Sequence, residues 1–190
     1  MNNVYTGELV RLRPVRDLQE WQQLQASHEF SYSPFWGPYH TVASKLDREF
    51  SNGELLDDKG ENSLAIERLD TGECIGIESF GVPAAGRLAT WLGTVIDRRH
   101  WSRGFGREAK LLMLCHLFES FPIQTVWADT TAEHLRAQAG LLAVGMRRIG
   151  LYPCIHWHAG QQVAVPLYQI MREEWERMPI RNTVKRGCRS

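Results

Sequence analysis

The stretch "HWSRGFGREA", residues 100–109, places two glycines one residue apart between arginines. An alternating, strand-like run precedes it, and the long apolar run "REAKLLMLCHLFES" follows at 107–120. A junction from strand through loop to helix leaves backbone N–H groups free at the positive end of the helix dipole. Because Gly104 and Gly106 have no Cβ, a phosphate can approach that backbone closely. The pattern predicts an anion site, although a plain strand-to-helix turn would use the same glycines.

The residues around the glycines narrow the kind of anion site. Arg103 and Arg107 can add charge-assisted hydrogen bonds to phosphate oxygens. The chain has no GxxxxGK run followed by Ser or Thr, which excludes a mononucleotide P-loop. A dinucleotide fingerprint would need a third glycine where this chain has Ala109, and it would open a parallel βαβ domain. The loop follows an antiparallel pattern instead, so neither common nucleotide motif applies.

The rest of the chain predicts the α+β class. The runs "NSLAIERL", "CIGIESFGV" and "LATWLGTVID", joined by "DTGE" and "PAAGR" turns, predict an antiparallel meander. Further strands are predicted at Leu9–Arg13, in "IQTVWAD", and near 146–158 and 163–171. We therefore expect a mixed, mainly antiparallel sheet of about seven strands flanked by helices. One domain should span residues 1–178, followed by a frayed, basic and polar tail at 179–190.

Composition and charge exclude several classes of partner. Lys plus Arg and Asp plus Glu both number 22, so no overall field steers the chain toward nucleic acid or an anionic membrane. No uncharged apolar run is long enough to span a bilayer, and we expect a cytoplasmic protein. The four cysteines form no CxxC pair, and His156 and His158 lack a third ligand nearby. We expect neither a disulfide framework nor a metal site.

The run "GTVIDRRHWSRGFGREAKLLMLCHLFES" resembles the central motif of the GNAT acyltransferase superfamily, whose consensus is Q/R-x-x-G-x-G/A. It is most similar to the branch of ribosomal-protein N-terminal acetyltransferases, where a Trp often leads the loop and Glu-Ala follows it. The matching positions are Trp101, Gly104, Gly106, Glu108 and Ala109. The runs "GELVRLRPV", "GECIGIESF", "AVGM" and "YQIMREEW" resemble that branch in the same order, so the resemblance spans residues 7–175.

This resemblance implies an N-acyltransferase that uses acetyl-CoA, or another acyl-CoA, as co-substrate and a protein N-terminus or a small amine as acceptor. It implies that the strand with Thr94–Ile96 diverges from the strand with Val126–Asp129, and that the pantetheine lies between them against the backbone of Val95 and Ile96. Many members of this fold form homodimers, so a homodimer is one expected state. The resemblance places the pyrophosphate against Trp101, Ser102, Arg103, Gly104, Phe105, Gly106 and Arg107.

The proton-transfer groups are where the chain departs from the family. A neutral amine must attack the thioester, and the CoA thiolate needs a proton. The family's second helix usually carries an Asn and, three positions later, a hydroxyl residue; here His134 and Ala137 stand there, and Leu141 replaces the Tyr of other branches. His134, whose imidazole would titrate near neutrality, is one candidate acid or base. Glu78, on the same strand face as Gly76, is the other and would look toward the cleft as a base through water.

Each candidate also has a structural interpretation, as a partly exposed helix histidine or a solvated strand carboxylate. The missing hydroxyls leave open a non-catalytic CoA-binding or partner-binding module, and an acyltransferase using a carrier-protein-bound donor is a third alternative. An aromatic cluster falls where the family places the helices over the acceptor site, and it would suit a hydrophobic or cationic amine or simply fill the core. Its members are Phe30, Tyr32, Phe35, Trp36, Tyr39 and His40.

Overall fold

The computed structural model describes residues 3–26, 32–33, 37–38, 43–58, 60–158 and 160–188. The strands are β1 (Asn3–Thr6), β2 (Val10–Arg13), β3 (Tyr32–Ser33), β4 (Gly37–Pro38), β5 (Glu61–Arg68), β6 (Cys74–Gly81), β7 (Ala89–Ile96), β8 (Thr125–Asp129), β9 (Arg147–His158), β10 (Gln161–Met171) and β11 (Lys185–Cys188). The helices are α1 (Leu18–Ala26), α2 (Ala43–Ser51), α3 (Phe105–Ser120), α4 (Leu135–Leu142), α5 (Arg172–Glu176) and α6 (Ile180–Thr183), with a 3₁₀ turn at Arg98–His100. The side chains of the predicted aromatic cluster lie outside the described part of the chain.

One sheet organises the fold, in the order β11-β1-β2-β5-β6-β7-β8-β10-β9, and β3 and β4 form a separate pair. All neighbours in the large sheet are antiparallel except β7 and β8, which are parallel. The expected α+β class with a mixed sheet is therefore confirmed. The sheet has nine strands in the described residues rather than about seven, because β1 and β11 extend one edge.

Helices cover both faces of this sheet. The larger core lies between the sheet and α3, nine of whose sixteen residues are buried. A smaller core on the opposite face joins Trp21 and Leu24 of α1 and Leu46 of α2 to Ile77 of β6. A helix that is apolar around most of its circumference must be covered on several sides, and α3 is covered by the sheet and by the C-terminal segment.

Residues 180–188 form a short helix and a strand where the sequence predicted a frayed end. Ile180 and Val184 pack against the core around α3, and Lys185–Cys188 pairs antiparallel with β1. The Arg186 guanidinium also forms two hydrogen bonds to the Glu119 carboxylate of α3, of 2.5 and 2.7 Å. The composition of this segment is basic, so it did not indicate that two apolar residues would pack against the core. It also did not indicate that the segment's backbone would pair with the free edge of β1.

The parallel pair β7–β8 opens a gap in the sheet. The two strands pair only at Ala89–Trp91 with Thr125–Trp127. Past that point β7 continues beside β6 to Ile96, while Ala128 and Asp129 of β8 pair with β10 alone. The expected divergence of these strands is therefore present, and it exposes backbone on both sides of the gap.

A buried ionic cluster fixes β2, β5 and α1 to one another. The Arg13 guanidinium, 1% exposed, donates to Glu67 at 2.6 Å and to Glu20 at 2.6 and 2.8 Å. Arg11 and Arg16 also pair with Glu67. Burial pushes the pKa of Glu67 upward, but the hydrogen bond and charge of Arg13 outweigh it, and the net pKa is lowered.

We predict that Glu67→Gln lowers the free energy of unfolding by about 3 kcal/mol, because it removes the buried carboxylate that pairs with Arg11, Arg13 and Arg16 and leaves the buried Arg13 guanidinium with Glu20 as its one remaining anion among the described residues. The exposed Asp70→Asn, which breaks a surface pair with Arg68, should cost much less, because solvent screens that pair. Denaturant unfolding at neutral pH measures both. Because the folded pKa of Glu67 is lowered, its contribution is present above its ordinary pKa of 4.5 and is lost as the pH falls through the folded value. Equal costs for the two variants would contradict this role.

Candidate active site

A cavity of about 1130 Å³ runs along the gap between β7 and β8. At one end it is lined by the loop Ser102–Arg107 and by α4, and at the other by α1, α2 and the start of β5. Thr94, Val95 and Ile96 of β7 form the wall between these ends. The sequence-predicted loop and the strand backbone thus border one continuous space.

The glycine loop forms the N-terminus of α3. Gly104 is the N-cap residue and has a φ of +87°, which favours glycine. Its carbonyl accepts hydrogen bonds from the N–H groups of Arg107 and Glu108, both at 3.1 Å, and no side chain caps this end of the helix. The N–H groups of Phe105 and Gly106, which precede them, have no carbonyl partner within the helix and are available to an anion at the positive end of its dipole.

Glu108 is the one acidic residue in the first turn of α3, and it is turned away from the loop. Its carboxylate accepts hydrogen bonds from the backbone N–H groups of Glu8, Leu9 and Val10, at 2.8, 2.7 and 2.7 Å. These contacts hold the helix start against the entry to β2. They also engage a negative charge that would otherwise repel an anion at the loop.

Trp101 connects the loop to the strand wall. Its indole Nε1 donates to the carbonyl oxygen of Ile96 at 2.7 Å, which holds the loop against the end of β7. The Arg136 guanidinium of α4 lies over the indole ring, 3.0 Å from the ring centre. Arg136 lines the cavity beside the loop, and sequence reasoning missed it because its place depends on how α4 packs.

Cationic side chains concentrate at the loop end of the cavity. Arg103 and Arg107 line it as the sequence predicted, and Arg107 Nε also donates to the carbonyl of Ala143 at 3.3 Å. Lys110 was not predicted. Its half-buried Nζ lines the cavity and donates to the carbonyl oxygen of Gly106 at 3.3 Å. Its spacing of four residues from Gly106 places both on one helix face, which is the signal that could have identified it.

The backbone of Val95 and Ile96 pairs with β6 on one side and borders the gap on the other. They pair with Ile77 and Gly76, and a Cβ at Gly76 would lie 2.1 Å from the Val95 carbonyl oxygen. Glycine at that position therefore lets β6 approach β7 closely. The opposite backbone edge has no partner on β8 at this depth, as the role predicted for Val95 and Ile96 requires.

Glu78 shares a face with Gly76 as predicted, but it does not look into the cleft. The side chain is fully buried beneath α3 and does not line the cavity. Its register partner Thr94 donates from Oγ1 to Glu78 Oε1 at 2.7 Å, whereas Oε2 has no hydrogen-bond partner among the described residues. Burial raises the pKa of Glu78 to about 8, against the lowering effects of the Lys110 charge and the Thr94 hydrogen bond. Strand alternation determines on which face of the sheet Glu78 lies, and α3 then covers that face.

His134 lines the cavity at the start of α4. Its Nδ1 lies 3.3 Å from Thr130 Oγ1, and its Nε2 lies 3.4 Å from Arg136 Nη2. Because a guanidinium can only donate, Nε2 is assigned as the acceptor and Nδ1 as the protonated nitrogen. Burial and the nearby charges of Arg136 and Lys110 lower the pKa of His134 to about 4. The imidazole is therefore neutral at pH 7 rather than titrating near neutrality as expected.

The positions of the absent family hydroxyls do face the cavity. Ala137 and Leu141 both line it, so the described part of α4 brings no hydroxyl from either position. Among the described residues no group of three His, Cys, Asp or Glu side chains could hold a metal ion. No helix in the described ranges is both long and apolar enough to cross a membrane.

The end of the cavity away from the loop is lined by carboxylates and is called the acidic chamber below. In its described lining Lys45 is the one basic side chain among the residues of α2 and the segment up to β5, and it pairs with Glu49 at 3.2 Å. Burial and the neighbouring Glu49 charge raise the pKa of Glu61, while a hydrogen bond with Ser79 lowers it. The carboxylates that line this end are Glu49, Glu54, Asp57 and Glu61.

Comparisons with known proteins agree with this geometry. Spermidine N-acetyltransferase from Vibrio cholerae, solved with CoA and spermine, is similar over 88% of this chain and 98% of its own, at 18% identity and a TM-score of 0.75. RimJ from Mycobacterium smegmatis, solved with CoA-disulfide, is similar over 97% of this chain and 96% of its own, at 20% identity and a TM-score of 0.73. Ribosomal-protein-S5-alanine acetyltransferase from Vibrio fischeri is similar over 90% and 98%, at 14% identity and a TM-score of 0.69.

These structures share the fold, and two of them bear the names of the branch that the sequence resembles. No curated protein sequence matches this chain. The family described as acetyltransferase (GNAT) domain matches residues 9–147, which is most of the chain and includes the glycine loop and both strands of the gap. This chain therefore belongs to the GNAT acetyltransferase family and is an N-acetyltransferase.

Proposed function

We propose that this chain transfers the acetyl group of acetyl-CoA to the primary amine of a small substrate that carries a second positive charge. One observation carries the proposal: a single cavity joins an N–H-rich, cationic loop at one end to an acidic chamber at the other, through the gap between β7 and β8. An anionic donor suits the first end and a cationic acceptor the second, so the acyl group and the amine would meet in the gap.

The residues at the loop fit CoA. The N–H groups of Ser102–Gly106 would bind the pyrophosphate, with the side chains of Arg103, Arg107 and Arg136 beside them. The gap edge of Val95 and Ile96 would bind the amides of the pantetheine. A Cβ on Gly106 would lie 3.3 Å from Ile96 Cδ1, so the bare glycine keeps this part of the cavity open. Two of the similar structures were solved with CoA or its disulfide, which supports this co-substrate.

The acidic chamber favours a cationic acceptor. Carboxylates attract ammonium groups, and partial burial strengthens that attraction. One similar structure is a spermidine N-acetyltransferase solved with spermine, which supports a polyamine-like substrate; another is named for a ribosomal-protein alanine, which keeps a protein N-terminus as the alternative acceptor. A second candidate function, a CoA-binding module without catalysis, is favoured by Ala137 and Leu141, which bring no proton donor to the cavity.

An amine panel tests the proposal. We expect acetyl-CoA turnover, followed as free thiol, with kcat/KM several-fold higher for spermidine and 1,3-diaminopropane than for n-butylamine, because only the first two carry a second charge. A peptide that begins with alanine is the fourth member, and preference for it would replace the small amine by a protein N-terminus. Silence across the panel with CoA binding intact would favour the non-catalytic module.

The loop placement is tested by replacing one glycine. We predict that Gly104→Ala weakens CoA binding at least tenfold by calorimetry, because the methyl group and the altered backbone disturb the N–H groups that face the phosphates. Gly86→Ala is the matched control, since Gly86 has a φ of +77° in an exposed turn away from the cavity. Both variants should lose about 1 kcal/mol of folding free energy, but only the first should lose CoA affinity. Equal CoA affinity in the two variants would contradict the placement.

The acidic chamber is tested by Glu61→Gln, with Asp58→Asn as the control on a neighbouring exposed carboxylate that does not line the cavity. We predict that Glu61→Gln raises KM for 1,3-diaminopropane by roughly two- to fivefold, the size of one partly exposed charge pair. KM for n-butylamine and kcat for both amines should change little. An equal rise for both amines would show that the effect does not depend on the second charge.

A further inference from the structure

Helix α4 offers no side-chain acid for the departing thiolate. Ala137 and Leu141 have no hydroxyl, and His134 is neutral with its N–H directed at Thr130. Aminolysis of a thioester nevertheless produces a thiolate inside a partly buried cavity, where an unprotonated anion is costly. A proton donor is therefore expected on another element that borders the gap.

Thr94 is placed for this role. It lies in the open part of β7, past the last residue paired with β8, and it lines the cavity. β7 runs toward the glycine loop, so Val95 and Ile96 lie nearer the phosphate site and Thr94 lies about 3.3 Å deeper. A pantetheine that starts at the loop and follows Val95 and Ile96 therefore reaches the depth of Thr94 with its thiol end.

Behind Thr94 lies a buried proton source. Its Oγ1 is 2.7 Å from Oε1 of Glu78, whose side chain is fully enclosed and whose Oε2 has no partner among the described residues. A carboxylate in this environment is strongly disfavoured, so the group holds its proton at neutral pH. When Glu78 is protonated, its Oε1–H can donate to Thr94 Oγ1 in place of the reverse hydrogen bond, and the Thr94 hydroxyl proton is then free to point into the cavity. A proton can then pass from Glu78 to Thr94.

Lys110 of α3 supplies the compensating charge. Burial lowers the pKa of Lys110 and the Arg136 charge of α4 lowers it further, whereas a charged Glu78 raises it, so ionisation of Glu78 favours the ammonium form. Thr94 and Lys110 both line the cavity, whereas Glu78 does not. When Glu78 gives up its proton, the Lys110 ammonium stabilises the resulting carboxylate.

We propose that the Thr94 hydroxyl protonates the departing CoA sulfur and that Glu78 reloads it, replacing the family hydroxyl absent from α4. The inference rests on the proposed transfer from acetyl-CoA.

The amine nitrogen bonds to the acyl carbon, the carbon–sulfur bond breaks, and its electron pair leaves on sulfur. Sulfur takes the Thr94 proton as the Glu78 proton moves to Thr94 Oγ1. The proton lost by the attacking nitrogen passes to solvent through the cavity, and an equivalent proton restores Glu78. Thr94 is then the catalytic residue and Glu78 its positioning partner.

The first test compares Thr94→Val, which removes the hydroxyl, with Thr94→Ser, which keeps it. We expect kcat with the best amine of the panel to fall roughly a hundredfold in the valine variant and to recover in the serine variant. Thiolate absorbance of bound CoA gives a readout without turnover: its thiol ionisation constant should fall about tenfold in the valine variant alone, because a hydrogen bond to the anion is lost. Valine and serine variants that match in both measurements would overturn the inference.

The second test is Glu78→Gln, which keeps an acceptor for Thr94 but holds no transferable proton. In the wild type kcat should be level at neutral pH and fall above about pH 8, where Glu78 loses its proton. The glutamine variant should have a low kcat without that alkaline fall, whereas a purely structural defect would keep it. This test decides whether Glu78 supplies the proton even if Thr94→Val does not fold.

A wild type that binds no CoA contradicts the proposed function. Normal transfer with an unchanged pH profile in Glu78→Gln contradicts only this inference.

Discussion

The separation of β7 from β8 is the constraint on which the site depends. Three residue pairs hold the parallel strands together, and each strand then follows its other neighbour, β6 or β10. Backbone polar groups buried without partners are costly, so a gap of this kind is stable only if water or a ligand can satisfy its edges. The gap thus couples the fold to ligand binding, because the backbone edge that lacks a neighbouring strand is free to pair with a ligand.

The surrounding elements hold the gap and its ends in place. Gly76 permits the close approach of β6 to β7, and Trp101 ties the glycine loop to the end of β7. Glu108 fastens the start of α3 to the β2 entry and keeps its own charge away from the loop. The helix start is therefore braced from two sides, which favours preorganised N–H groups over groups that must be ordered on binding.

The distribution of charge gives the cavity a direction. Arginines and Lys110 gather at the loop end, and carboxylates gather where α2 approaches β5. The chain has no net charge, so this separation is a property of the cavity rather than of the whole molecule. Behind Thr94 in the cavity wall lies the fully buried Glu78, whose Oε2 has no hydrogen-bond partner in the described part of the chain. Such an arrangement costs folding free energy, and groups of this kind cluster at functional sites.

The sequence by itself determined the local features of this protein. Alternation and turn residues predicted the meander β5–β7, and the glycine spacing predicted the loop and the long helix α3, because these depend on contacts between neighbouring residues. The resemblance of the same stretch to an acyltransferase motif predicted the family. Glu78 was assigned to the correct strand face for the same reason.

Only the tertiary structure decided what each face meets. Packing of α3 over β6 buries Glu78 instead of exposing it to the cleft, and the approach of α4 brings Arg136 onto Trp101 and lowers the pKa of His134. Pairing of β11 with β1 orders a segment whose composition indicated a frayed end. Burial, electrostatic shifts and edge pairing depend on residues far apart in the chain, and no periodicity along one segment contains that information.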